Sequence, residues 1–279
     1  VSTLLDTCHK DFPEFDELNS FQIFQFRELL NKEILQRSVL IITESEELKN
    51  KISYYYRVEK NRIISIPNIP SSLALNEPTN IFKEKVKIKF DLDKKFYFYP
   101  AQFWPHKNHS LILSSIKILK DKYNRSINFV FCGLDKQKHK EFIKNKIVNL
   151  GIEKNVKILD YLSHDEVGCL LRLSNALVMP TFLGPTNMPP VEAWNSKIPV
   201  IYSSLLKNHG RNAALYFDPY SAEELAQKII ELDSHNTKKI LVENGLKRVA
   251  VIEQQNEDGI TTLFDKIDKF IEHRSSWRA

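Results

Sequence analysis

The chain has 279 residues, of which 42% are hydrophobic, and a formal net charge of +5. These values predict a globular protein of one large or two ordinary domains, and no apolar run is long enough for a membrane span or a signal peptide. The charge allows an anionic ligand or an anionic membrane surface, but Lys and Arg lack the dense clusters typical of nucleic-acid binding.

The three cysteines are widely separated and match no metal-binding or redox pattern. Cys132 and Cys169 lie in apolar runs and are expected in the core, which indicates a reducing compartment. We therefore expect a cytoplasmic protein, and peripheral contact with the inner face of the cell membrane is left open. The chain begins at Val1 rather than Met, so it could be a piece of a longer protein.

Short apolar strands alternate with amphipathic helices along the chain, which is typical of parallel sheets covered by helices. In residues 1–70 the pattern predicts a helix over 15–38, a strand over 39–43, a helix capped by Ser45 and a strand over 62–66. These elements are too few to cover both faces of a parallel sheet. We therefore expect an incomplete first domain.

Residues 71–93 are rich in Pro, Ser, Asn and Lys and are predicted to form a linker, in which 86–90 could be a strand. A second α/β series follows and predicts a complete doubly wound domain over 94–257. Its strands are expected over 96–99, 128–132, 156–159, 176–179, 199–201 and 214–217, with helices over 108–122, 136–150, 165–173 and 222–232. A final amphipathic helix over 258–273, within a segment 258–279, could cover this domain or cross back to the first.

The segment 180–201 contains a Gly/Pro loop and a short helix that is predicted to open at Pro189. Proline suits the first turn of a helix, where the following amides are free and the helix dipole favours an anion. Glu192, expected in that first turn, could accept hydrogen bonds from hydroxyl groups beside the anion. A diphosphate next to a ribose fits this pattern, although a capped helix in an ordinary βαβ unit fits it as well.

Two other loops follow predicted strands. Lys107 stands near a helix N-terminus, where a cation is unfavourable unless an anion is bound between them, although a plain surface lysine is the alternative. Gly133 would allow close approach of the backbone after its strand. Ligands of doubly wound sheets bind at the carboxyl ends of the strands, so these loops are expected to share a site. His106 and His109 have no acidic or cysteine partner in their segment, so no metal is expected there.

The segments 99–109, 131–133, 158–163, 174–181, 184–193, 198–203 and 213–219 occur in the order expected of the family 4 retaining glycosyltransferases. The chain resembles that family over nearly its whole length, with 8–15 and 42–45 resembling the end of its acceptor-side domain. The resemblance implies the GT-B type of α/β fold. It implies one complete Rossmann-like doubly wound parallel-sheet domain for the nucleotide sugar (94–257) and an incomplete N-terminal Rossmann-like domain (1–70).

The resemblance also implies residue roles. Lys107 matches the lysine that neutralises the donor diphosphate, Glu192 the second glutamate of the E-x7-E motif that binds the ribose, and His9 an acceptor-side histidine near the reacting sugar. Tyr161 and Leu162 would flank the base. The other implied donor-binding residues are Gln102, His106, Asn108, Gly133, Gly184, Thr186, Asn187, Met188 and Pro189. No metal and no cofactor are expected.

Two positions depart from the family pattern. Gly184 stands where the first glutamate of E-x7-E is usual, and Gln102 stands where an arginine is usual. The site therefore lacks one carboxylate and one cation, since a glutamine side chain hydrogen-bonds but carries no charge. The contact that the first glutamate makes to the donor sugar is left without an obvious replacement.

The predicted function is transfer of a sugar from a nucleoside-diphosphate sugar to an acceptor hydroxyl with retention, in synthesis of a bacterial surface polysaccharide or glycan. The expected partners are the nucleotide-sugar donor and a glycan or lipid-linked acceptor. The alternatives are a non-catalytic or truncated nucleotide-sugar-binding module that needs a partner, and a GT-B epimerase. Asp91 and Asp93 match the D-x-D motif with which other glycosyltransferases hold a metal ion on the diphosphate. The basic helix 28–37 could touch an anionic membrane, or its charges could simply face the solvent.

Overall fold

The computed structural model describes residues 1–71, 76–135, 138–184 and 186–276. Parts of three expected segments lie outside the described residues: 72–75 of the linker, 136–137 at the start of a predicted helix and 277–279 at the C-terminus. Pro185, inside the Gly/Pro loop, lies outside them as well. The chain forms two compact units, one of Val1–Ile69 with Ala250–Ala279 and one of Pro70–Val249.

The first unit contains a parallel sheet of three strands in the order β1-β2-β3. The strands are Ser2–Thr3 (β1), Ile41–Thr43 (β2) and Ile63–Ser65 (β3), and the helices of this part of the chain are Cys8–Asp11, Asp16–Asn19, Phe21–Arg37 and Glu46–Tyr56. Ser45 caps the last of these helices, since its hydroxyl accepts from the Leu48 amide at 3.2 Å. The single helix predicted over 15–38 is wrong, because Ser20 has an extended ψ of 135° that separates two helices.

The second unit contains a parallel sheet of six strands in the order β6-β5-β4-β7-β8-β9. This order confirms the doubly wound sheet predicted from the sequence. The strands are Phe96–Pro100 (β4), Asn128–Cys132 (β5), Val156–Leu159 (β6), Leu177–Met179 (β7), Val200–Ser203 (β8) and Leu215–Phe217 (β9). The helices are Asn80–Lys89, His109–Tyr123, His139–Leu150, His164–Leu173, Met188–Asn195, Lys207–Gly210 and Ala222–Glu231.

The expected linker contains the helix Asn80–Lys89, which the sequence interpretation missed. Thr79 caps it by accepting from the Phe82 amide at 3.2 Å. The alternative of a strand over 86–90 is wrong because Val86 and Ile88, which would share one face of a strand, differ sharply in exposure. Val86 is 2% exposed and Ile88 is 80% exposed, as the helical period requires.

The C-terminal helix runs over His235–Ser276 and begins well before the predicted start at 258. Its residues from Ala250 onward belong to the first unit. There the Asn256 side chain donates to the Pro67 carbonyl oxygen at 2.7 Å, and the Lys266 ammonium donates to the Asn61 carbonyl oxygen at 2.6 Å. Among the helices described, none combines the length and the apolar character needed to cross a membrane.

Candidate active site

The strand order places a topological switch point between β4 and β7. All strands of this sheet are parallel, so the loops after β4 and β7 leave from the same edge. A sheet of this order binds its ligands in the crevice outside the carboxyl ends of its strands at that point. The loop after β4 carries Lys107, and the loop after β7 leads into the helix that carries Glu192. The structure therefore brings these two predicted segments to one edge.

Hydrogen bonds tie the two loops together directly. The Phe182 amide donates to the carbonyl oxygen of His106 at 3.0 Å. The side-chain amide of Asn108, whose backbone is left-handed with φ of 55°, donates to the carbonyl oxygens of Pro180 at 3.3 Å and Pro219 at 2.8 Å. Asn108 thus holds the loops after β4, β7 and β9 in place. Its amide nitrogen is engaged by protein carbonyls.

Lys107 ends a short 3-10 turn, Pro105–Lys107, in the loop after β4. Its carbonyl oxygen accepts a hydrogen bond of 2.9 Å from the hydroxyl of Tyr99, which is fully buried on β4. The backbone of this lysine is therefore fixed to the rigid centre of the sheet, while the residue as a whole is half-buried. This arrangement holds the root of a flexible cationic side chain at the carboxyl edge.

Gly133 brings the loop after β5 against the loop after β4. A Cβ atom at this position would lie 2.2 Å from the carbonyl oxygen of Ala101, a distance that no side chain tolerates. The Ala101 amide donates to the Cys132 carbonyl oxygen at 2.9 Å in the same contact. Gln102 follows at once, and its side-chain oxygen accepts from the Trp104 indole at 2.5 Å. Gly133 and Gln102 therefore shape this loop pair.

The helix expected to open at Pro189 begins one residue earlier, at Met188, and ends at Asn195. Glu192 is its fifth residue, so its predicted place in the first turn is wrong. Two of the first three residues, Pro189 and Pro190, have no N–H, so the donors at this end are the amides of Asn187 and Met188. This end offers an anion fewer donors than the sequence interpretation assumed, which leaves more of the charge balance to Lys107.

Glu192 is 7% exposed and has a partner that the sequence did not reveal. The hydroxyl of Ser71 donates to its Oε1 at 2.5 Å. The two residues are far apart in the chain, and Ser71 belongs to the segment taken for a linker, so no local pattern could indicate the contact. One carboxylate oxygen of Glu192 is thereby held by the protein.

Gly184 has a φ of +106°, in the left-handed region that favours glycine. The side-chain amide of Asn187 folds back over it and donates to the Gly184 carbonyl oxygen at 2.7 Å and to the Tyr202 hydroxyl at 3.0 Å. Between them in the chain, the Thr186 hydroxyl oxygen is buried without a hydrogen-bond partner among the described residues.

The loop after β6 places the two residues expected near the base in different environments. Tyr161 is 71% exposed, so its ring is available for stacking, whereas Leu162 is 7% exposed and packs inward. Asp160 in the same loop forms an ion pair with Lys140. In the sheet order β6 lies two strands from β4, which sets this loop to one side of the switch point.

His9 lies in the first unit and is fully buried. Its Nε2 lies 2.8 Å from Oε1 of Glu28, and the Tyr56 hydroxyl donates to the same oxygen at 2.7 Å. Burial raises the pKa of Glu28, but hydrogen bonds from Lys10, Tyr56 and His9 outweigh it and lower that pKa to about 2. The ionised Glu28 holds the proton of His9 on Nε2. Nδ1 has no hydrogen-bond partner within the described part of the chain.

The D-x-D motif lies at the other end of the sheet from Lys107. Asp91 precedes β4, and its carboxylate forms an ion pair of 3.0 Å with Lys157 near the start of β6. The length of β4, roughly 13 Å, separates this edge from the loops at the carboxyl ends. Asp91 and Asp93 therefore do not join the candidate site. The residues that the structure describes contain no group of three or more His, Cys, Asp or Glu side chains suited to a metal ion.

The chain is similar in sequence to known glycosyltransferases. The model of a family described as "Glycosyl transferases group 1" matches residues 80–248. The chain is 28% identical over 216 residues to the O-antigen chain mannosyltransferase RfbU of Salmonella typhimurium, covering 76% of this chain and 56% of that protein. It is 21% identical over 169 residues to the D-inositol 3-phosphate glycosyltransferase of Corynebacterium efficiens, covering 58% of this chain and 39% of that protein. The chain thus spans about half the length of the curated relatives it matches.

Among solved structures, the chain resembles Anabaena Alr3699/HepE in complex with UDP and glucose. The TM-score is 0.75 at 15% sequence identity, over 96% of this chain and 70% of that one. This likeness shows the fold and confirms the GT-B type predicted from the sequence.

Proposed function

The chain belongs to the group 1 glycosyltransferases, and from that premise we propose that it is a retaining enzyme of family 4 type. In this proposal it moves a sugar from a nucleoside-diphosphate sugar to an acceptor hydroxyl and keeps the anomeric configuration. The acceptor is a glycan or a lipid-linked glycan of a bacterial surface polysaccharide, in line with the O-antigen role in the name of the relative RfbU. The chain works without a metal or other cofactor.

The observation that carries this proposal is the meeting of the Lys107 loop and the Glu192 segment at the switch point of the sheet. The Lys107 ammonium would neutralise the diphosphate, assisted by the amides of Asn187 and Met188. Glu192 would accept hydrogen bonds from the ribose through the oxygen that Ser71 does not hold. A diphosphate and a ribose are adjacent in every nucleoside diphosphate, so one ligand satisfies both groups.

In the reaction, the bond between the anomeric carbon and the diphosphate oxygen breaks and leaves an oxocarbenium-like centre. The acceptor oxygen attacks from the face that the diphosphate leaves, and the acceptor proton passes to a departing phosphate oxygen. Lys107 stabilises the charge that develops on the leaving group, a contribution of the kind worth roughly 3–4 kcal/mol in a transition state. We assign His9, oriented by Glu28, to the acceptor side of the reaction.

A thermal-shift panel tests the donor half of the proposal. The diphosphates of uridine, guanosine, adenosine and thymidine and their sugar conjugates are added separately, because a ligand that prefers the native state raises the melting temperature. We expect the diphosphate and sugar conjugate of one base to raise the melting temperature more than those of the other three. A panel in which none of the ligands raises the melting temperature would refute a nucleotide-sugar site.

The second candidate is a binding module that holds a nucleotide sugar but transfers nothing alone. This candidate is supported by the length of the matches, since the chain matches only 56% of one curated relative and 39% of the other. The two candidates differ in one measurement: release of nucleoside diphosphate when donor and a lipid-linked acceptor fraction are both present. Release that requires both supports the enzyme, and donor binding without release supports the module.

A further inference from the structure

Three cations surround the short helix that follows β8, outside the segments assigned to the donor. Lys207 begins this helix, Arg211 follows its last residue, and Arg248 reaches it from the C-terminal helix. The Nε of Arg248 donates to the carbonyl oxygen of His209 at 2.8 Å. The Lys207 ammonium lies 5.9 Å from the centre of the Tyr216 ring on β9. Lys207, Arg211 and Arg248 therefore form a basic cluster next to the carboxyl ends of β8 and β9.

The basic cluster has no carboxylate partner in the part of the chain that the structure describes. None of its three cations forms an ion pair with a described Asp or Glu. Arg248 is half-buried, its pKa is lowered by burial, and the charge of Arg211 lowers that pKa further. A half-buried cation beside a like charge is unfavourable unless an anion is bound with them.

Arg211 has a backbone conformation that favours glycine. Its φ is +54° and its ψ is −117°, which correspond to the first central residue of a type II′ turn. Glycine, asparagine and aspartate dominate that position, and a residue with a long side chain is strained there. Such strain is typical of residues whose side chains act in binding or catalysis. The fold thus keeps an arginine where a glycine would fit better.

The Tyr216 hydroxyl adds a donor to the basic cluster. Its oxygen is buried and has no hydrogen-bond partner among the described residues. It lies against the backbone of Gly210, where a Cβ atom would meet it at 2.4 Å. Burial raises the pKa of this phenol, and the charges of Arg248 and Arg211 oppose that rise, so both arginines lie near it. A buried donor without an acceptor costs free energy, and an oxygen of a bound anion would supply the acceptor.

The donors of the basic cluster indicate the kind of anion. A guanidinium group presents a planar fork that matches two oxygens of one oxyanion, and the lysine ammonium adds a compact charge. A carboxylate offers one charge and two oxygens, whereas a phosphate monoester offers about −1.5 to −2 charges and three oxygens. Two forks, one ammonium and one hydroxyl therefore fit a phosphate better than a carboxylate.

We propose that Arg211, Arg248 and Lys207 bind a phosphate group at a site separate from the one assigned to the donor diphosphate. The strand order supports this separation, because β8 lies beyond β7 on the side away from β4 and Lys107. A soluble phosphate compound and a phosphate headgroup of a lipid present the same chemistry to this cluster. The inference does not depend on the proposed function, since it uses none of the residues assigned to the donor.

Arg211→Gly tests the site without damage to the fold. Its melting temperature should be at least that of the parent protein, because glycine fits the backbone angles, and its affinity for phosphate should fall about tenfold. Calorimetry at low ionic strength measures the Kd of inorganic diphosphate, with Lys107→Ala as the parent protein so that the assigned donor site contributes little. Lys247→Gln removes an exposed charge next to Arg248 and should bind like the parent.

Arg248→Gln is the second variant, and it should lose the same affinity. Flotation with vesicles of phosphatidic acid and phosphatidylcholine, against phosphatidylcholine alone, tests the lipid source. Diphosphate binding without vesicle binding identifies a soluble ligand. Vesicle binding that falls in Arg211→Gly but not in Lys247→Gln identifies a lipid headgroup. Binding of neither probe by the parent, or equal binding by Arg211→Gly and Lys247→Gln, would overturn the inference.

Discussion

The amide nitrogen of Phe182 lies 3.0 Å from the carbonyl oxygen of His106, and this hydrogen bond joins the loop after β7 to the loop after β4. It anchors the residue next to Lys107 to the segment that leads to Glu192. Because the two strands flank the switch point of the sheet, the bond connects the two halves of the candidate donor site. The predictions below depend on this connection.

Lys107→Ala should lower the rate of sugar transfer by about two to three orders of magnitude, because it removes the cation that stabilises the leaving diphosphate. Turnover is measured with the donor that the thermal-shift panel identifies. Lys117→Ala is the matched control, since Lys117 is a half-buried lysine of the following helix and pairs with Asp121. Near wild-type turnover in Lys107→Ala would remove this lysine from the mechanism.

Ser71→Ala should weaken binding of the ribonucleoside diphosphate severalfold, because Oε1 of Glu192 loses the donor that fixes the carboxylate. Ser71→Thr keeps the hydroxyl and should bind normally. The 2′,3′-dideoxy diphosphate separates orientation of Glu192 from general damage, since it has no ribose hydroxyl to lose. Equal weakening of both nucleotides by Ser71→Ala would show that Ser71 acts on the fold and not on ribose recognition.

His109→Phe should flatten the loss of stability at acid pH. His109 packs against Phe103 with ring centroids 4.7 Å apart, and neither ring nitrogen has a hydrogen-bond partner among the described residues. Burial lowers its pKa to about 3, while the unfolded chain titrates near 6.5. Below pH 6.5 the unfolded state therefore binds the extra proton, and stability falls by about 1.4 kcal/mol per pH unit.

The comparison is urea unfolding of the wild type and His109→Phe between pH 7.5 and 5. Between pH 6.5 and 5 the wild type should lose about 2 kcal/mol of unfolding free energy relative to the variant. His209, whose pKa burial also lowers to about 3, is present in both proteins, so its contribution cancels. Parallel curves would mean that His109 is not held neutral in the fold.

Gly133→Ala should destabilise the protein by about 1–3 kcal/mol, because its methyl group would meet the Ala101 carbonyl oxygen at 2.2 Å. Gly151→Ala is the control. Gly151 has a left-handed φ of +63° but no atom within 4 Å of a Cβ, so it reports the cost of the backbone conformation alone. Thermal unfolding of the two variants gives the comparison, and a smaller loss at Gly133 than at Gly151 would contradict the close loop contact.

Much of the second unit could be predicted from the sequence because its strands are short, largely apolar runs, and the four central strands are mostly buried. The apolar runs 128–132 and 156–159 match β5 and β6 residue for residue. The helix Asn80–Lys89 was missed because its exposed face carries Ile81 and Ile88, which hid the helical period of Phe82 and Val86. Helix propensity and hydrophobic pattern depend on neighbouring residues only. They do not show that Val86 is buried, and its burial marks the inward face of this helix.

The candidate site was predictable only in part. The motif around Lys107 and the Gly184 loop were predicted to share one edge of the sheet, and both loops follow parallel strands of the same sheet in the structure. The contact of Ser71 with Glu192 and that of Asn187 with Tyr202 depend on side chains that the fold brings together. No spacing in the sequence encodes such contacts, and the start of the helix at Met188 shifted Glu192 out of the first turn.

The most direct measurement of the central claim is the affinity that the second phosphate adds. Calorimetry with the nucleoside diphosphate and monophosphate of the preferred base gives this gain for the wild type and for Lys107→Ala. If one diphosphate lies between the Lys107 ammonium and the amides before Pro189, the wild type should prefer the diphosphate and the variant should lose most of that preference. An equal preference in both proteins would contradict the account.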